Sequence, residues 1–515
     1  MIFGILTGAC LLFTARALRG YIQPVSTHAS DKSAPSEVST DDQSYELEDS
    51  QLQDPQRLSR QLTVLRDASS LAASAQGVGT SGKIFVKTYG CSHNVSDSEF
   101  MMGMLVKHGF VIVESMDEAD LCIFNSCTVK NPSQEAAVNS VSRAQSMGKK
   151  IVVTGCVPQA DENVPLFDQA SLVGVSNIGS IVTVVEETLK GNRVVVIGKP
   201  SDLPDITLMP KIRRNKLIEI IAVSTGCLGQ CTYCKTKHAR GELGSYPIAD
   251  ILTRAKSAVS EGVKQIWLTS EDLGAYGIDI GTTIVQLLQD LLTVIKPFPD
   301  VMLRLGMTNP PYMLEHAQAV AKILQHPQVF EFLHVPVQSG SNNVLRDMRR
   351  EYTADDFNDL ISILRGSIPD ITIATDIICG FPNESDADHE ETIKLIEQHK
   401  FPVINISQFY PRPGTPAARM TRVPTKIAKS RSGQVTRLFE SYTAHDHLKD
   451  QVVTVWFDYP GDGSFETPTQ SVGHTKNYTK VIVPYSPSLS GTSRLVRISS
   501  THKWDVRGVV LEHNN

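Results

Sequence analysis

The stretch Thr225-Gly226-Cys227-Leu228-Gly229-Gln230-Cys231-Thr232-Tyr233-Cys234 decides how this chain is read. Its cysteines are spaced C-x3-C-x2-C. Three thiolates are one short of the four that close an ordinary iron–sulfur site, so a [4Fe–4S] cluster held here keeps one iron open to a non-protein ligand. A structural zinc asks for four ligands, usually as two paired knuckles, and the chain has no second C-x2-C. A disulfide would leave one of three crowded cysteines unpaired. The cluster is the expected occupant.

Working outward, the cysteines follow a strand candidate at 218–223. Further candidates lie at 265–269, 301–305, 330–335, 372–377 and 404–408, with helical stretches between them. Six βα units predict a partial (β/α)6 barrel over 217–442 rather than the eight-fold one. The cysteine loop then sits at the C-terminal ends of the strands, where α/β sheets carry their sites. Upstream, over 81–195, strands at Lys83–Thr88, Leu121–Asn125 and Ile151–Thr154 alternate with helices at Ser96–His108, Gln134–Met147 and Ile181–Leu189. That alternation predicts an α/β domain with a parallel sheet. Cys91, Cys127 and Cys156 each follow one of its strands, and in a parallel sheet such turns converge at one edge. They form either a second three-thiolate cluster site or three unrelated buried thiols; turn position alone leaves both open. Cys122, in mid-strand, and Cys379, just past one, are expected in the core, and Cys10 has no functional reading. After residue 443, short strands at Val452–Phe457, Gln470–Gly473, Lys480–Val483 and Arg494–Ile498, separated by Gly, Pro and Ser, predict a small all-β module to 511.

The chain has 515 residues, 41% hydrophobic and 20% charged, which suits a globular body of several domains. Its net charge of −6 is unevenly placed. Residues 31–55 hold eight acidic residues and one lysine, so the rest is nearly neutral. This Ser/Asp/Gln-rich segment lies in 20–80, expected as a disordered acidic linker. Residues 196–216 read as a second linker with a basic end, Pro210–Lys216, expected as a solvated connector in preference to an RNA contact. Nine cysteines in a long chain do not form a secreted disulfide framework. Met1–Ala15 is uncharged and apolar, with Arg16 and Arg19 behind it. Residues 1–19 are expected as a membrane anchor that holds the body on the cytoplasmic side, at the endoplasmic reticulum. A mitochondrial targeting peptide is the rival.

The spacing of Cys227, Cys231 and Cys234 resembles the signature of the radical S-adenosylmethionine (SAM) enzymes. With Cys91, Cys127 and Cys156 upstream and a β module downstream, residues 83 to about 511 resemble the methylthiotransferases within that superfamily. The segments Gly90–Asn94, Asn125–Pro132, Gly155–Gln159 and Lys235–Gly241 resemble the eukaryotic–archaeal branch, which acts on N6-threonylcarbamoyladenosine (t6A) at position 37 of tRNA. One departure from the family pattern is Asn383, where glycine is expected after Gly380-Phe381-Pro382.

The resemblance implies two [4Fe–4S] clusters and SAM. Cys227, Cys231 and Cys234 would hold the SAM-cleaving cluster, and Cys91, Cys127 and Cys156 an auxiliary one that carries the sulfur to be inserted. Tyr233 would lie near the SAM adenine and Glu271 near its amino group. Gln338 and Asp376 fall in segments at strand ends around SAM, as does His334, for which a satisfied core histidine is an equal alternative. Arg412 would meet substrate phosphate or cap a loop. The β module resembles a TRAM domain, with Lys476, Tyr478, Lys480, Arg494 and Arg497 as candidate RNA contacts. The partners implied are the tRNA anticodon loop, an electron donor and a sulfur donor, and the chain is expected to be a monomer. Two rivals stand beside this. One is the same chemistry on isopentenyladenosine-37 or a ribosomal protein. The other is a membrane-tethered RNA-binding or redox protein with structural clusters.

Overall fold

The computed structural model describes residues 82–128, 131–161, 164, 167–198, 203–207, 209–460 and 469–511. The expected anchor at 1–19, Cys10 within it, and the acidic linker at 20–80 lie outside them. Among the described residues no single helix is long and apolar enough to cross a membrane.

The first unit is a sheet of six parallel strands: β1 (Lys83–Thr88), β2 (Val111–Val113), β3 (Leu121–Ser126), β4 (Lys150–Gly155), β5 (Ser171–Gly174) and β6 (Val195–Val196). Their order is β2-β1-β3-β4-β5-β6. Helices α1 (Ser92–Lys107), α2 (Asn131–Ser146), α3 (Cys156–Ala160) and α4 (Ile181–Leu189) lie between the strands. β3 is buried at every position and contains Cys122. A continuous apolar run such as this is what a parallel strand covered on both faces requires.

The second unit begins at β7 (Ile218–Ala222). A two-residue pair, β8 (Ser224–Thr225) and β9 (Gly244–Ser245), brackets the cysteine loop. The chain continues through α5 (Thr236–Arg240), α6 (Ile248–Ser260), β10 (Gln265–Thr269), α7 (Ile284–Ile295), β11 (Met302–Arg304), α8 (Ala317–Leu324), β12 (Phe332–His334), α9 (Ala354–Ser367), β13 (Thr372–Cys379), α10 (Asp386–His399), β14 (Val403–Gln408) and α11 (Thr425–Glu440). β11-β10-β7 and β12-β13-β14 form two parallel sheets. Parallel bridges Leu303↔Val329 and Met307↔His334 join them, so all six expected strands form one curved wall. Asn383 adopts φ 64 and its amide reaches Asp347 at 3.2 Å. Asparagine tolerates the left-handed region better than most residues, so the turn survives without glycine. Cys379 is buried, as expected.

The third unit is a closed five-stranded barrel: β15 (Val452–Pro460), β16 (Gln470–Thr475), β17 (Lys480–Pro484), β18 (Ser493–Thr501) and β19 (Val506–Val510), ordered β15-β16-β17-β19-β18. Closure removes the open edges that a small sheet would otherwise expose.

The basic stretch Pro210–Lys216 is only in part the solvated connector that the sequence predicts. Ile212, Arg214 and Lys216 are exposed, but Lys211 and Arg213 turn inward and clamp the first two units together. Lys211 Nζ lies 3.1 Å from Glu99 of α1 and 3.0 Å from Glu219 of β7. Arg254 of α6 and Arg213 also engage Glu219. Two buried carboxylates facing buried cations satisfy each other where unpaired charge would be costly.

Candidate active site

Cys91, Cys127 and Cys156 stand at the C-terminal ends of β1, β3 and β4, which are neighbours in the sheet, so residues far apart in sequence meet. Their exposures are 8, 2 and 1%. Two glycines make this possible. Gly90 has φ +101, and a Cβ there would fall 2.5 Å from Cys127 Sγ. Gly155 has φ +94, and a Cβ would fall 2.3 Å from the Ser126 carbonyl. Asn94, on the first turn of α1, sits among the thiols. Its Oδ1 is 4.0 Å from Cys91 Sγ and 3.7 Å from Cys156 Sγ. Its Nδ2 donates to the carbonyls of Tyr89 and Ser126 at 2.9 and 3.0 Å. Burial pushes the Cys91 thiol up to about 11, and Cys127 adds to the effect. Burial raises Cys156 too, against the pull of Arg240. As free thiols these groups hold their protons at neutral pH, and ligating a metal must displace them.

Cys227, Cys231 and Cys234 occupy the loop between β8 and α5. Gly226 is required by geometry: at φ +75, a Cβ would sit 1.9 Å from the Glu242 carbonyl. Thr232 fixes the loop from below, its amide and hydroxyl each donating at 2.9 Å to the carbonyls of Met348 and Asp347. Burial and the nearby Asp272 charge push the Cys227 thiol up to about 12.

Cys91 and Cys156 of the first trio and all three cysteines of the second line one cavity of about 2170 Å³, while Cys127 is buried and not part of its lining. Pockets for a drug-sized ligand hold roughly 300–1,000 Å³, so this one has room for a cofactor and a nucleoside together. Arg240 ties its two halves. One of its guanidinium nitrogens (Nη2) donates to Asn94 at 2.9 Å and Asp97 at 2.8 Å, and Nε lies 3.2 Å from Glu271. Glu271 also meets His93 Nδ1 at 3.1 Å. Burial works against the Glu271 charge, yet His93 and Arg240 hold its carboxyl below the usual range.

Tyr233, Glu271, Gln338, Asp376 and Arg412 all line this cavity. Tyr233 packs edge-on against Phe381. Gln338 adopts φ 69, and its buried Oε1 has no hydrogen-bond partner among the described residues. Asp376 is held by His334 at 3.1 Å and Asn405 at 2.7 Å. Glu271, expected beside the SAM amino group, is engaged by His93 and Arg240 at the boundary with Cys91, Cys127 and Cys156, the upper trio, as against the lower trio of Cys227, Cys231 and Cys234. Arg412 is buried beside Gln134 of α2, at 3.3 Å.

Two candidate RNA contacts are placed differently from the sequence reading. Tyr478 is 4% exposed, stacked on His474 and edge-on to Phe330 of the barrel wall. Lys476 Nζ donates to the Leu324 carbonyl at 3.0 Å and pairs with Glu331 at 3.3 Å. Both dock the small barrel onto the central unit, because its 475–479 turn packs against the start of β12 and is shielded from solvent. Arg494 lies on β18 beyond the cavity, half-buried, donating to its neighbour's carbonyl at 2.8 Å.

Sequence reasoning gave no role to Arg350. It reaches Cys231 Sγ at 3.0 Å and also contacts Asn309. Its only local signal is the pair Arg349-Arg350 ahead of Tyr352, which surface arginines share.

Among the described residues no three His, Cys, Asp or Glu side chains converge closely enough to share one metal ion. A tetrahedral zinc, with bonds to sulfur of about 2.3 Å, would draw its thiolates to about 4 Å from one another. Three thiolates in each trio are the donor set of an iron–sulfur cube with one open iron.

Residues 83–174 match the family described as Uncharacterized protein family UPF0004, and residues 221–396 match the Radical SAM superfamily. The chain is 50% identical over 434 residues to the threonylcarbamoyladenosine tRNA methylthiotransferase of Homo sapiens, covering 83% of this chain and 73% of that one. It is 47% identical to the protein of that name from Drosophila melanogaster, covering 84 and 78%. It is 34% identical to the probable threonylcarbamoyladenosine tRNA methylthiotransferase of Pyrococcus abyssi, covering 83 and 99%. With cysteines of two trios lining one cavity and 50% identity to the Homo sapiens relative over 83% of its length, the chain belongs to the threonylcarbamoyladenosine tRNA methylthiotransferase family.

Proposed function

We propose that this chain converts t6A at position 37 of tRNA to its 2-methylthio form by radical SAM chemistry. The observation that carries the reading is that cysteines of both three-cysteine sets line a single cavity, in a chain of this family. Cys227, Cys231 and Cys234 would hold the [4Fe–4S] cluster that binds SAM, and Cys91, Cys127 and Cys156 a second cluster. When bound, these groups supply the 5′-deoxyadenosyl radical and the sulfur; the protein supplies placement and exclusion of competing reactions.

The chain's own residues do the positioning. Arg240 holds the upper trio's support, Asn94 and Asp97, in register with Glu271 of the SAM unit, which would fix the two cluster sites relative to each other. Asp376, whose charge His334 and Asn405 favour, would hold a SAM hydroxyl or amine, and Tyr233 would offer a ring to its adenine. Gln338 presents an unspent acceptor to the cavity. The single-stranded anticodon loop can splay its base into such a pocket. The units described by 81–195, 217–442 and 443–511 act as auxiliary-cluster, SAM and RNA-binding modules of a monomer, supplied by separate electron and sulfur donors. The apolar run Met1–Ala15 would anchor the protein to the endoplasmic reticulum, facing the cytoplasm, and deleting residues 1–19 should then release it from membranes.

The test is mass spectrometry of digested tRNA from cells lacking the protein. 2-Methylthio-t6A should disappear with t6A retained, and return with the wild type but not with Cys227→Ala. Its persistence would refute the assignment.

A further inference from the structure

The lower trio has a neighbour whose chemistry the fold does not account for. Arg350 is held from several sides. Its Nε lies 3.2 Å from the Tyr352 hydroxyl, and its guanidinium rests over the Tyr352 ring at 5.0 Å. Its Nη2 donates to Asn309 Oδ1, whose amide in turn donates to Asp272 at 2.9 Å. Tyr352 is itself fixed by donating to the Val337 carbonyl at 2.8 Å. Among the described residues Arg350 forms no ion pair with a carboxylate, unlike Arg213, Arg240, Arg254 and Arg431, each of which pairs with one. Arg350 is half-buried, so a guanidinium with no carboxylate partner leaves its donors to other acceptors. The group its Nη1 does address is Cys231 Sγ, at 3.0 Å. That sulfur becomes a thiolate once it ligates iron.

We propose that Arg350 is the residue that tunes the SAM-cleaving cluster, its guanidinium donating to the Cys231 thiolate and raising the potential at which the cluster accepts an electron. The inference rests on the reading of Cys227, Cys231 and Cys234 as that cluster's ligands. Hydrogen bonds to the sulfurs and nearby charge are among the levers that set such potentials. One-electron reduction by an external reductant adds a negative charge to the cluster and its thiolates. A cation fixed on one of them stabilises the reduced form more than the oxidised one. The Tyr352 stack and the Asn309 bond keep the fork from swinging away.

The experiment uses the full chain carrying Cys91→Ala, Cys127→Ala and Cys156→Ala, so that only the lower trio binds a cluster. It is reconstituted with iron and sulfide and titrated with dithionite under electron paramagnetic resonance, without SAM. Iron absent from this background would refute the ligand assignment and leave nothing for Arg350 to tune. With iron bound, Arg350→Gln should keep its iron while its reduced-to-oxidised ratio at a fixed potential falls about tenfold, equivalent to about 59 mV for one electron. Arg350→Lys, which keeps the charge, should fall between it and the parent. An iron-loaded Arg350→Gln protein that reduces at the parent's potential overturns the proposal. Loss of iron from both variants overturns it too, by making the contact one of assembly.

Discussion

Replacing Tyr478 by alanine should undock the small β-barrel from the SAM unit. Tyr478 closes a box around Arg304, whose guanidinium carbon lies 4.8, 4.7 and 4.8 Å from the ring centres of Trp267, Phe332 and Tyr478. Burial lowers the Arg304 pKa, so the three rings are what make this cation tolerable there. Truncating a buried aromatic costs about 3–5 kcal/mol, of which one desolvated cation–π contact is about 2. A loss of about 3 kcal/mol raises the population of the undocked state by roughly two powers of ten. Where opening and closing outrun cleavage, proteolysis follows that population. Limited digestion should therefore cut Tyr478→Ala between 440 and 452 about 100-fold faster than the wild type, with no RNA present. Tyr478→Phe, which keeps the ring, should digest like the wild type. If Tyr478→Ala resists protease as the parent does yet binds tRNA more weakly, the docking argument is wrong and the ring contacts RNA.

Three further outcomes are expected. Cys127→Ala should keep reductant-dependent SAM cleavage and lose sulfur insertion; insertion of sulfur by this variant would sink the division of labour between the trios. Gly90→Ala puts a Cβ 2.5 Å from Cys127 Sγ at φ +101, so the purified protein should lose the upper trio's iron and keep the lower trio's, and full iron content would show that the turn gives way. Burial opposes the Glu219 charge, but Lys211, Arg254 and Arg213 pull its pKa from 4.5 down to about 2. A depressed carboxylate contributes stability that is complete above pH 4.5 and is lost as pH falls through about 2, amounting to about 3 kcal/mol. Urea melts from pH 6 to pH 3 should accordingly slope less steeply in Glu219→Gln than in the wild type, and equal slopes would refute the clamp.

The chemistry of the lower trio is legible without a structure because it is local. Cys227, Cys231 and Cys234 are close in sequence, and any loop that holds them offers three thiolates to one centre. The six strands of the central wall are legible too, since fully buried parallel strands are long apolar runs with helices between them. β2, β5, β6 and β19 escaped notice because they are short or interrupted, and their pairing is set by neighbours already in place. Cys91, Cys127 and Cys156 are intermediate. Their positions after strands are visible, but their meeting depends on the order β1-β3-β4, which long-range pairing decides.

What the sequence could not fix is which charges and rings are spent inside the protein. Lys211 and Lys476 look like surface cations, and Tyr478 like an RNA-stacking ring, until the three units pack together. Glu271 belongs by motif to the SAM unit, yet its partner His93 comes from the other domain. Arg350 is one arginine among many until the fold brings it to a cysteine 119 positions away. The cysteines' identity is covalent and travels with the chain. The fate of a charge depends on desolvation and on partners that only the packed structure supplies.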